Sequence, residues 1–141
     1  MINLTVDGIN ISVPEGSTIL AAAREAGINI PTLCYHPYQA VKANCRVCVC
    51  EVEGQRLLAA ACAMPASEGM VVKTKTPKVI EARKTILELI LAHHPQDCLN
   101  CIRNGVCELQ TLAEELIIRD NPFELMIRGY EKDTSTPSLF R

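Results

Sequence analysis

Alternating apolar and polar residues open the chain and predict a β-hairpin. Residues 2–6 (INLTV) and 9–13 (INISV) are rich in β-branched side chains, which favour extended strands. Between them stand Asp7 and Gly8, a dipeptide typical of the two-residue turn that joins antiparallel strands. The chain is therefore expected to begin with two paired antiparallel strands.

A short helix and three further strands are predicted to complete the first half of the chain. The helix covers residues 19–26, because Ser17 or Thr18 can cap its start and Gly27 can adopt the left-handed conformation that follows a helix end. The strands are predicted over residues 47–53, 56–61 and 70–74. This order of elements indicates an α+β domain in which one helix crosses a mixed sheet.

Helical spacing replaces the alternating pattern in the second half of the chain. Thr76 and Pro77 form a helix start, with threonine as the cap and proline at the first helical position. Apolar residues then recur at helical spacing towards Pro95, and Arg83 is the only polar residue on that face. A second helix is predicted over residues 108–118. Together the two helices indicate a small helical unit.

Composition and charge narrow the classes of protein to which the chain can belong. Of its 141 residues, 48% are hydrophobic and 21% are charged, a balance that excludes an intrinsically disordered chain. The formal net charge of -2 argues against a nucleic-acid-binding protein, which would normally be basic. The N-terminal residues lack the basic and apolar regions of a signal peptide, and no apolar stretch is long enough to cross a bilayer. We therefore expect a cytoplasmic protein without direct membrane insertion.

Eight cysteines are present, and four of them form a first group of candidate metal ligands. In a reducing compartment, clustered cysteines hold a metal more often than they form disulfides. The group has the spacing C-x10-C-x2-C-x13-C and comprises Cys34, Cys45, Cys48 and Cys62. Four thiolates can hold a [2Fe-2S] cluster or a structural zinc ion. Structural zinc sites usually combine two short motifs in which two to four residues separate a pair of cysteines, here called hooks. Only one C-x2-C hook occurs in this group, so its spacing favours the iron–sulfur cluster.

A second group of candidate ligands lies between the two predicted helices and combines one imidazole with three thiolates. It comprises His94, Cys98, Cys101 and Cys107. These side chains could hold zinc or a [4Fe-4S] cluster, and their spacing alone does not decide between the two. His93 is the competing candidate for the imidazole, and we expect it to face elsewhere.

Cys50 and a strip of basic residues are both interpreted as structural rather than functional features. Cys50, two residues past Cys48, is expected to be a small buried core residue rather than a ligand or a redox thiol. A basic strip runs from the last predicted strand into the following helix, and we expect a solvated helix face rather than a docking site. The strip comprises Lys73, Lys75, Lys78, Arg83 and Lys84.

The two cysteine groups resemble the N-terminal iron–sulfur region shared by [FeFe]-hydrogenases and the large cluster-carrying subunit of respiratory complex I. The same region occurs in NAD-linked and electron-bifurcating hydrogenases and in formate dehydrogenases. The resemblance covers nearly the whole chain, and its most specific part is the segment HHPQDCLNCIRNGVCELQ at residues 93–110. The family string H-P-x-D-C-x2-C-x5-C-E-L-Q is matched from His94 to Gln110, which implies a [4Fe-4S] cluster with His(Cys)3 ligation.

The resemblance also implies a fold and a division into domains. Residues 1–78 would be a β-grasp, [2Fe-2S] ferredoxin-like domain, although the ligand spacing departs from the plant-type pattern. Residues 78–117 would be a small helical [4Fe-4S] domain, and residues 118–141 an extended C-terminal tail. The fold class expected for the chain is therefore α+β.

The function that the resemblance implies is electron transfer, in a module that passes single electrons between the two clusters. The implied setting is a multi-subunit NAD-linked or electron-bifurcating hydrogenase or dehydrogenase complex. The implied partners are a flavin- or NAD-binding subunit and a catalytic hydrogenase or dehydrogenase subunit, with ferredoxin as a further candidate. No catalytic site is recognised, and family members continue where this chain ends, so we expect either a separate small subunit or part of a longer protein. A zinc-stabilised structural binding module is the alternative function.

Overall fold

The computed structural model of the chain describes residues 1–95 and 97–123. The strands are β1 (Ile2–Val6), β2 (Ile9–Val13), β3 (Val49–Val52), β4 (Ala59–Ala60) and β5 (Val71–Lys73). The helices are α1 (Ile19–Glu25), α2 (Pro77–Ala92) and α3 (Glu108–Glu115), with a 3-10 helix over Cys98–Asn100. From residue 124 onward, the predicted tail lies outside the described residues.

The five strands form one mixed sheet in the order β2-β1-β5-β3-β4. β1 runs parallel to β5, and the other neighbouring pairs are antiparallel. The turn between β1 and β2 takes the left-handed backbone that its dipeptide favours, with φ of 49° at Asp7 and 86° at Gly8. α1 begins at a capped end, where Thr18 Oγ1 accepts a hydrogen bond from the Ala21 amide at 3.2 Å. The predicted α+β architecture, one helix on a mixed sheet, is confirmed.

β3, β4 and α3 are shorter than predicted. β4 covers only Ala59–Ala60 instead of residues 56–61, and a residue with a left-handed backbone lies close to the shortened end of each of the other two elements. Arg46 has a φ of 58° and is followed by a turn at Val47 and Cys48, so that β3 begins at Val49 instead of at residue 47. Ile117, at φ 54°, follows the end of α3, whose last residue is Glu115 instead of residue 118. Since neither residue is glycine, the sequence carries no local signal for either break.

The apolar core has two parts, and the second part joins the two halves of the chain. The first part lies between α1 and the sheet, and its fully buried side chains include Val6, Val13, Ile19, Leu20, Ile30 and Val72. In the second part, Val47 from the loop before β3 packs with Leu87 of α2 and Leu112 of α3. Burial of each such side chain contributes roughly 1.5–3 kcal/mol. Because the same loop carries Cys45 and Cys48, this packing fixes the loop against the helical unit.

α3 ends in a pair of backbone hydrogen bonds whose pattern normally contains glycine. The Ile118 amide donates to the Ala113 carbonyl at 2.9 Å, and the Ile117 amide donates to the Glu114 carbonyl at 3.0 Å. These two bonds form the Schellman motif, in which the residue after the cap is left-handed. Ile117 occupies that position and is 67% exposed. A β-branched side chain is strained in this conformation.

Replacing Ile117 with glycine is expected to raise the free energy of unfolding by about 1 kcal/mol. The substitution removes the left-handed strain and sacrifices little buried apolar surface. Thermal unfolding of the variant and of the unmodified chain measures the gain. Ile118→Gly is the matched control, because Ile118 packs against the second core and has no positive φ, so it should lower the midpoint. A midpoint for Ile117→Gly at or below that of the unmodified chain would contradict the strain argument.

Candidate metal centres

The four cysteines of the first group lie in the loops that flank β3 and β4. Cys48 immediately precedes β3 and Cys62 follows β4, and the Ala61 amide donates to the Cys48 carbonyl at 3.1 Å. Cys34 and Cys45 come from the long loop between α1 and β3 and are half-buried. Cys48 and Cys62 are each 1% exposed. The group therefore has a buried inner pair and an outer pair nearer to solvent.

The thiols of the first group contact one another. Cys34 is hydrogen-bonded to Cys45, and Cys62 to Cys48. Burial raises the pKa of the Cys62 thiol to about 12, and the hydrogen bond to Cys48 and charges on the other cysteines act in the same direction. Burial also acts to raise the pKa of Cys34, but hydrogen bonds from Cys45 and from the Asn44 backbone outweigh it, and the pKa is lowered. Thiolates this close to one another would repel, and positively charged iron ions of a bound cluster would offset that repulsion.

Two left-handed residues shape the loop that carries Cys45. Ala43 has a φ of 51° and Arg46 a φ of 58°. For a residue other than glycine this conformation costs roughly 1–2 kcal/mol, and such strain clusters where function requires a particular loop shape. The two bends bracket Cys45, and the second leads into the turn that contains Cys48. This loop shape suits a cluster that takes two thiolates from one short hook.

The second group of candidate ligands lines a single cavity of about 410 Å³. His94, Cys98, Cys101 and Cys107 all contribute to its wall, and apolar side chains of α2 and α3 form much of the rest. Within residues 1–95 and 97–123, no three His, Cys, Asp or Glu side chains come together as a site for one metal ion. The donors of the second group surround a space instead. Three thiols and one imidazole around this space match the donor set of a [4Fe-4S] cluster with one histidine ligand.

Successive tight turns present the cysteines of the cavity. After the 3-10 helix over Cys98–Asn100, the Asn104 amide donates to the Cys101 carbonyl at 3.0 Å. Gln110 of α3 then holds the loop from the other side. Its Oε1 accepts a hydrogen bond from the Gly105 amide at 3.2 Å, and its Nε2 donates to Asn104 Oδ1 at 3.0 Å. The loop is thus anchored to α3 by the last residue of the motif matched in the sequence.

Two thiols of the second group have backbone neighbours that complement negative charge on a metal-bound sulfur. Cys107 is the N-cap residue of α3, where the helix dipole presents partial positive charge. The Arg103 amide donates a hydrogen bond to Cys101 Sγ at 3.4 Å. Amide hydrogen bonds to ligand sulfurs are one of the means by which proteins tune cluster potentials.

The two adjacent histidines differ in their surroundings. His94 lines the cavity together with the three cysteines. His93 is the C-cap residue of α2, and its Nδ1 lies 3.0 Å from the Leu89 carbonyl oxygen. This arrangement supports His94 as the candidate imidazole ligand.

Two buried residues lie beside the first group. Cys50 is a core residue, as expected: its Sγ donates to the Ala59 carbonyl at 3.5 Å, and burial raises its pKa to about 12.

Arg83 was expected on the solvated basic strip, and this expectation is wrong, because Arg83 is only 6% exposed. α2 docks on β3 with this side chain inward, and Arg83 Nη2 donates to the Val49 carbonyl at 2.7 Å. The sequence contained one signal for this burial, namely the helical spacing that places Arg83 on the same face as apolar residues.

A mixed sheet with four cysteines in the loops beside its strands, followed by a cavity lined by one histidine and three cysteines, is typical of iron–sulfur proteins. Residues 1–77 match the family model described as 2Fe-2S iron-sulfur cluster binding domain. Residues 83–122 match the model described as NADH-ubiquinone oxidoreductase-G iron-sulfur binding region. The chain belongs to the 2Fe-2S iron-sulfur cluster binding family, and its cofactors are a [2Fe-2S] and a [4Fe-4S] cluster.

Curated relatives have the same pair of regions within longer proteins. The chain is 52% identical to NADP-reducing hydrogenase subunit HndD of Solidesulfovibrio fructosivorans, over 96% of this chain and 24% of that protein. It is 45% identical to the NADH-ubiquinone oxidoreductase 75 kDa subunit of Reclinomonas americana, over 80% of this chain and 16% of that protein. The chain therefore spans about a quarter or less of the length of these relatives.

A solved structure with the same fold is the crystal structure of an NAD+-reducing [NiFe]-hydrogenase in the H2-reduced state. It superimposes with a TM-score of 0.85 at 34% identity, over 96% of this chain and 57% of that one. The part of the chain that the structure describes contains no helix long and apolar enough to span a membrane.

Proposed function

We propose that the chain is an electron-transfer module that passes single electrons between its two clusters. The proposed ligands of the [2Fe-2S] cluster are Cys34, Cys45, Cys48 and Cys62. The proposed ligands of the [4Fe-4S] cluster are His94, Cys98, Cys101 and Cys107. Each cluster, when bound, accepts and releases one electron at a time, and the protein positions it and tunes its potential. In this proposal residues 1–78 and 78–117 are the two cluster domains, and residues 118–141 are a tail.

One cleft bears a proposed ligand from each group, and this observation carries the proposal. Cys45 and His94 both line the cleft, and Ile86, Leu89 and Ile90 of α2 form its apolar wall. The second part of the core lies beside this wall, since Cys45, Ile86 and Ile90 also pack against its buried residues. A short and fixed separation between the two centres is what direct electron transfer requires. The shared cleft and the shared core support such a separation.

We further propose that the module works inside a larger redox complex. The two relatives belong to an NADP-reducing hydrogenase and to an NADH-ubiquinone oxidoreductase, and this chain matches a small part of each. The proposed partners are a flavin- or NAD-binding subunit and a catalytic hydrogenase or dehydrogenase subunit, with ferredoxin as a candidate donor or acceptor. Apolar side chains on the loop of the second group support docking, since Leu99, Ile102 and Val106 are strongly exposed.

A cytoplasmic location is also proposed. Seven of the eight cysteines are proposed cluster ligands, and all but Cys50 belong to the two ligand groups. Thiols stay reduced in the cytosol, whereas an oxidising compartment favours disulfides. A reducing compartment therefore suits the thiolate ligands that the two proposed clusters need.

Anaerobic purification with metal analysis tests the proposed function. We expect a brown protein with about six iron atoms per chain, two from one cluster and four from the other. After reduction with dithionite, EPR should give two overlapping signals that differ in their relaxation. A colourless protein with zinc in place of iron and no EPR signal would contradict the proposal and favour the structural module.

A further inference from the structure

Arg83 is a buried cation directly behind the loop of the first cysteine group. It projects from α2 and is 6% exposed, and its Nη2 donates to the Val49 carbonyl at 2.7 Å. Its Nε is buried without a hydrogen-bond partner in the described part of the chain. Of the donors of this guanidinium, one is therefore held by β3 and another is left unsatisfied.

No carboxylate in residues 1–95 and 97–123 lies at ion-pair distance from this guanidinium, because the one ion pair found there joins Lys84 to Glu88 at 4.0 Å. Burying an arginine without a counter-charge is costly, since the ion loses its hydration and receives no Coulombic attraction in return. Another negatively charged group close to Arg83 is therefore needed to offset the cost of burying its guanidinium.

The source of negative charge that the structure offers is the cysteine loop. Val49, whose carbonyl binds Arg83, directly follows Cys48 in the chain. Burial lowers the pKa of Arg83, while charges on Cys50, Cys48 and Asp7 act in the opposite direction. The Cys50 side chain is already engaged in the core, because its Sγ donates to the Ala59 carbonyl at 3.5 Å. The Asp7 carboxylate already accepts hydrogen bonds from the Thr74 amide and hydroxyl. This leaves Cys48 as the source of the counter-charge, since as a metal ligand it would be a thiolate and would carry negative charge.

We propose that Arg83 sets the reduction potential of the [2Fe-2S] cluster through its buried positive charge. The inference rests on the proposed ligand set. With the cluster bound, one electron from dithionite would reduce one ferric ion to ferrous, which would add one negative charge and break no bond. A fixed cation nearby stabilises this reduced state more than the oxidised state. A single charge acting over a separation of about 10 Å, in a medium with an effective dielectric constant of about 20, would change such an equilibrium roughly tenfold.

The test is an EPR-monitored redox titration of the full, cluster-loaded chain. Arg83→Gln removes the charge and keeps a hydrogen-bond donor for the Val49 carbonyl, whereas Arg83→Lys keeps the charge. Arg83→Met is a second uncharged variant with an apolar side chain that is easier to bury, in case Arg83→Gln fails to fold. Lys84→Gln is the matched control, since it removes one charge from the next residue, whose side chain is 47% exposed. Exposed charges are screened by water and salt.

Arg83→Gln and Arg83→Met are expected to make reduction of the [2Fe-2S] cluster about tenfold less favourable, a fall in potential of about 59 mV for one electron. Arg83→Lys should keep most of the original potential, and Lys84→Gln should leave it unchanged. An unchanged potential in the folded uncharged variants would overturn the inference, and so would an equal fall in Arg83→Lys, which would indicate packing rather than charge. If the unmodified chain gave no [2Fe-2S] signal, the proposed ligand set would fail, and the inference with it.

Discussion

Cys48→Ser is expected to eliminate the [2Fe-2S] signal and to leave the [4Fe-4S] signal in place. Cys48 is fully buried, is hydrogen-bonded to Cys62, and belongs to the only C-x2-C hook of the first group. A serine hydroxyl is a harder and far less acidic donor than a thiol, so it is a poor replacement for a buried thiolate ligand. Iron analysis should fall from about six to about four atoms per chain. EPR of the dithionite-reduced variant shows which of the two signals is lost.

Cys50→Ser provides the matched control for this experiment. Cys50 is equally buried and lies two residues further along, but it is not one of the proposed ligands, and its Sγ donates to the Ala59 carbonyl. The same chemical change at this position should leave both signals intact, at some cost in stability. If Cys50→Ser abolished the [2Fe-2S] signal and Cys48→Ser preserved it, the proposed ligand set would be wrong.

His94→Ala is expected to disturb the [4Fe-4S] cluster selectively. His94 is the imidazole that lines the cavity with the three cysteines, so its loss removes one of four proposed ligands. Even substitutions of groups that merely support a ligand typically cost about 10–100-fold in metal affinity. The variant should therefore lose iron from this site faster on mild chelation, with an altered EPR line shape. The [2Fe-2S] signal, whose proposed ligands lie in a separate loop, should be retained.

His93→Ala is the control for this prediction, because it removes the same side chain one residue earlier. The His93 ring contacts the Leu89 carbonyl at the end of α2 and does not line the cavity. Its loss should leave both EPR signals unchanged, with at most a small loss of helix stability. The opposite result, a disturbed cluster in His93→Ala and a normal one in His94→Ala, would shift the ligand by one residue.

Local chemistry makes much of the fold predictable. The hairpin turn at Asp7 and Gly8 and the threonine caps of α1 and α2 appear where the sequence predicts them. Each depends on a few neighbouring residues, so one short segment contains the whole signal. The breaks at Arg46 and Ile117 could not be predicted in this way. Neither residue favours a left-handed backbone, and the surrounding structure imposes it.

The proposed sites, like the fold, can be predicted only where the signal is local in the sequence. The spacing of the cysteines predicts two groups, and the contacts between thiols and the lining of the cavity support both. Arg83 shows the limit of such reasoning. Helical spacing indicates that it shares a face with apolar residues, but its charge also suggests a solvated strip. Which tendency prevails depends on where α2 docks on β3, and that is a tertiary property.

The central place of β5 in the sheet has a consequence for the order of events during protein synthesis. Among the strands of residues 1–95 and 97–123, β5 is the last to leave the ribosome, yet it joins the β1–β2 hairpin to the β3–β4 pair. All four cysteines of the first group precede it in the chain. Until Lys73 has emerged, the two halves of the sheet have no common strand, and the cysteine loop has no completed framework behind it. We therefore expect iron delivery to the first group to follow translation of β5 instead of accompanying that of its ligands.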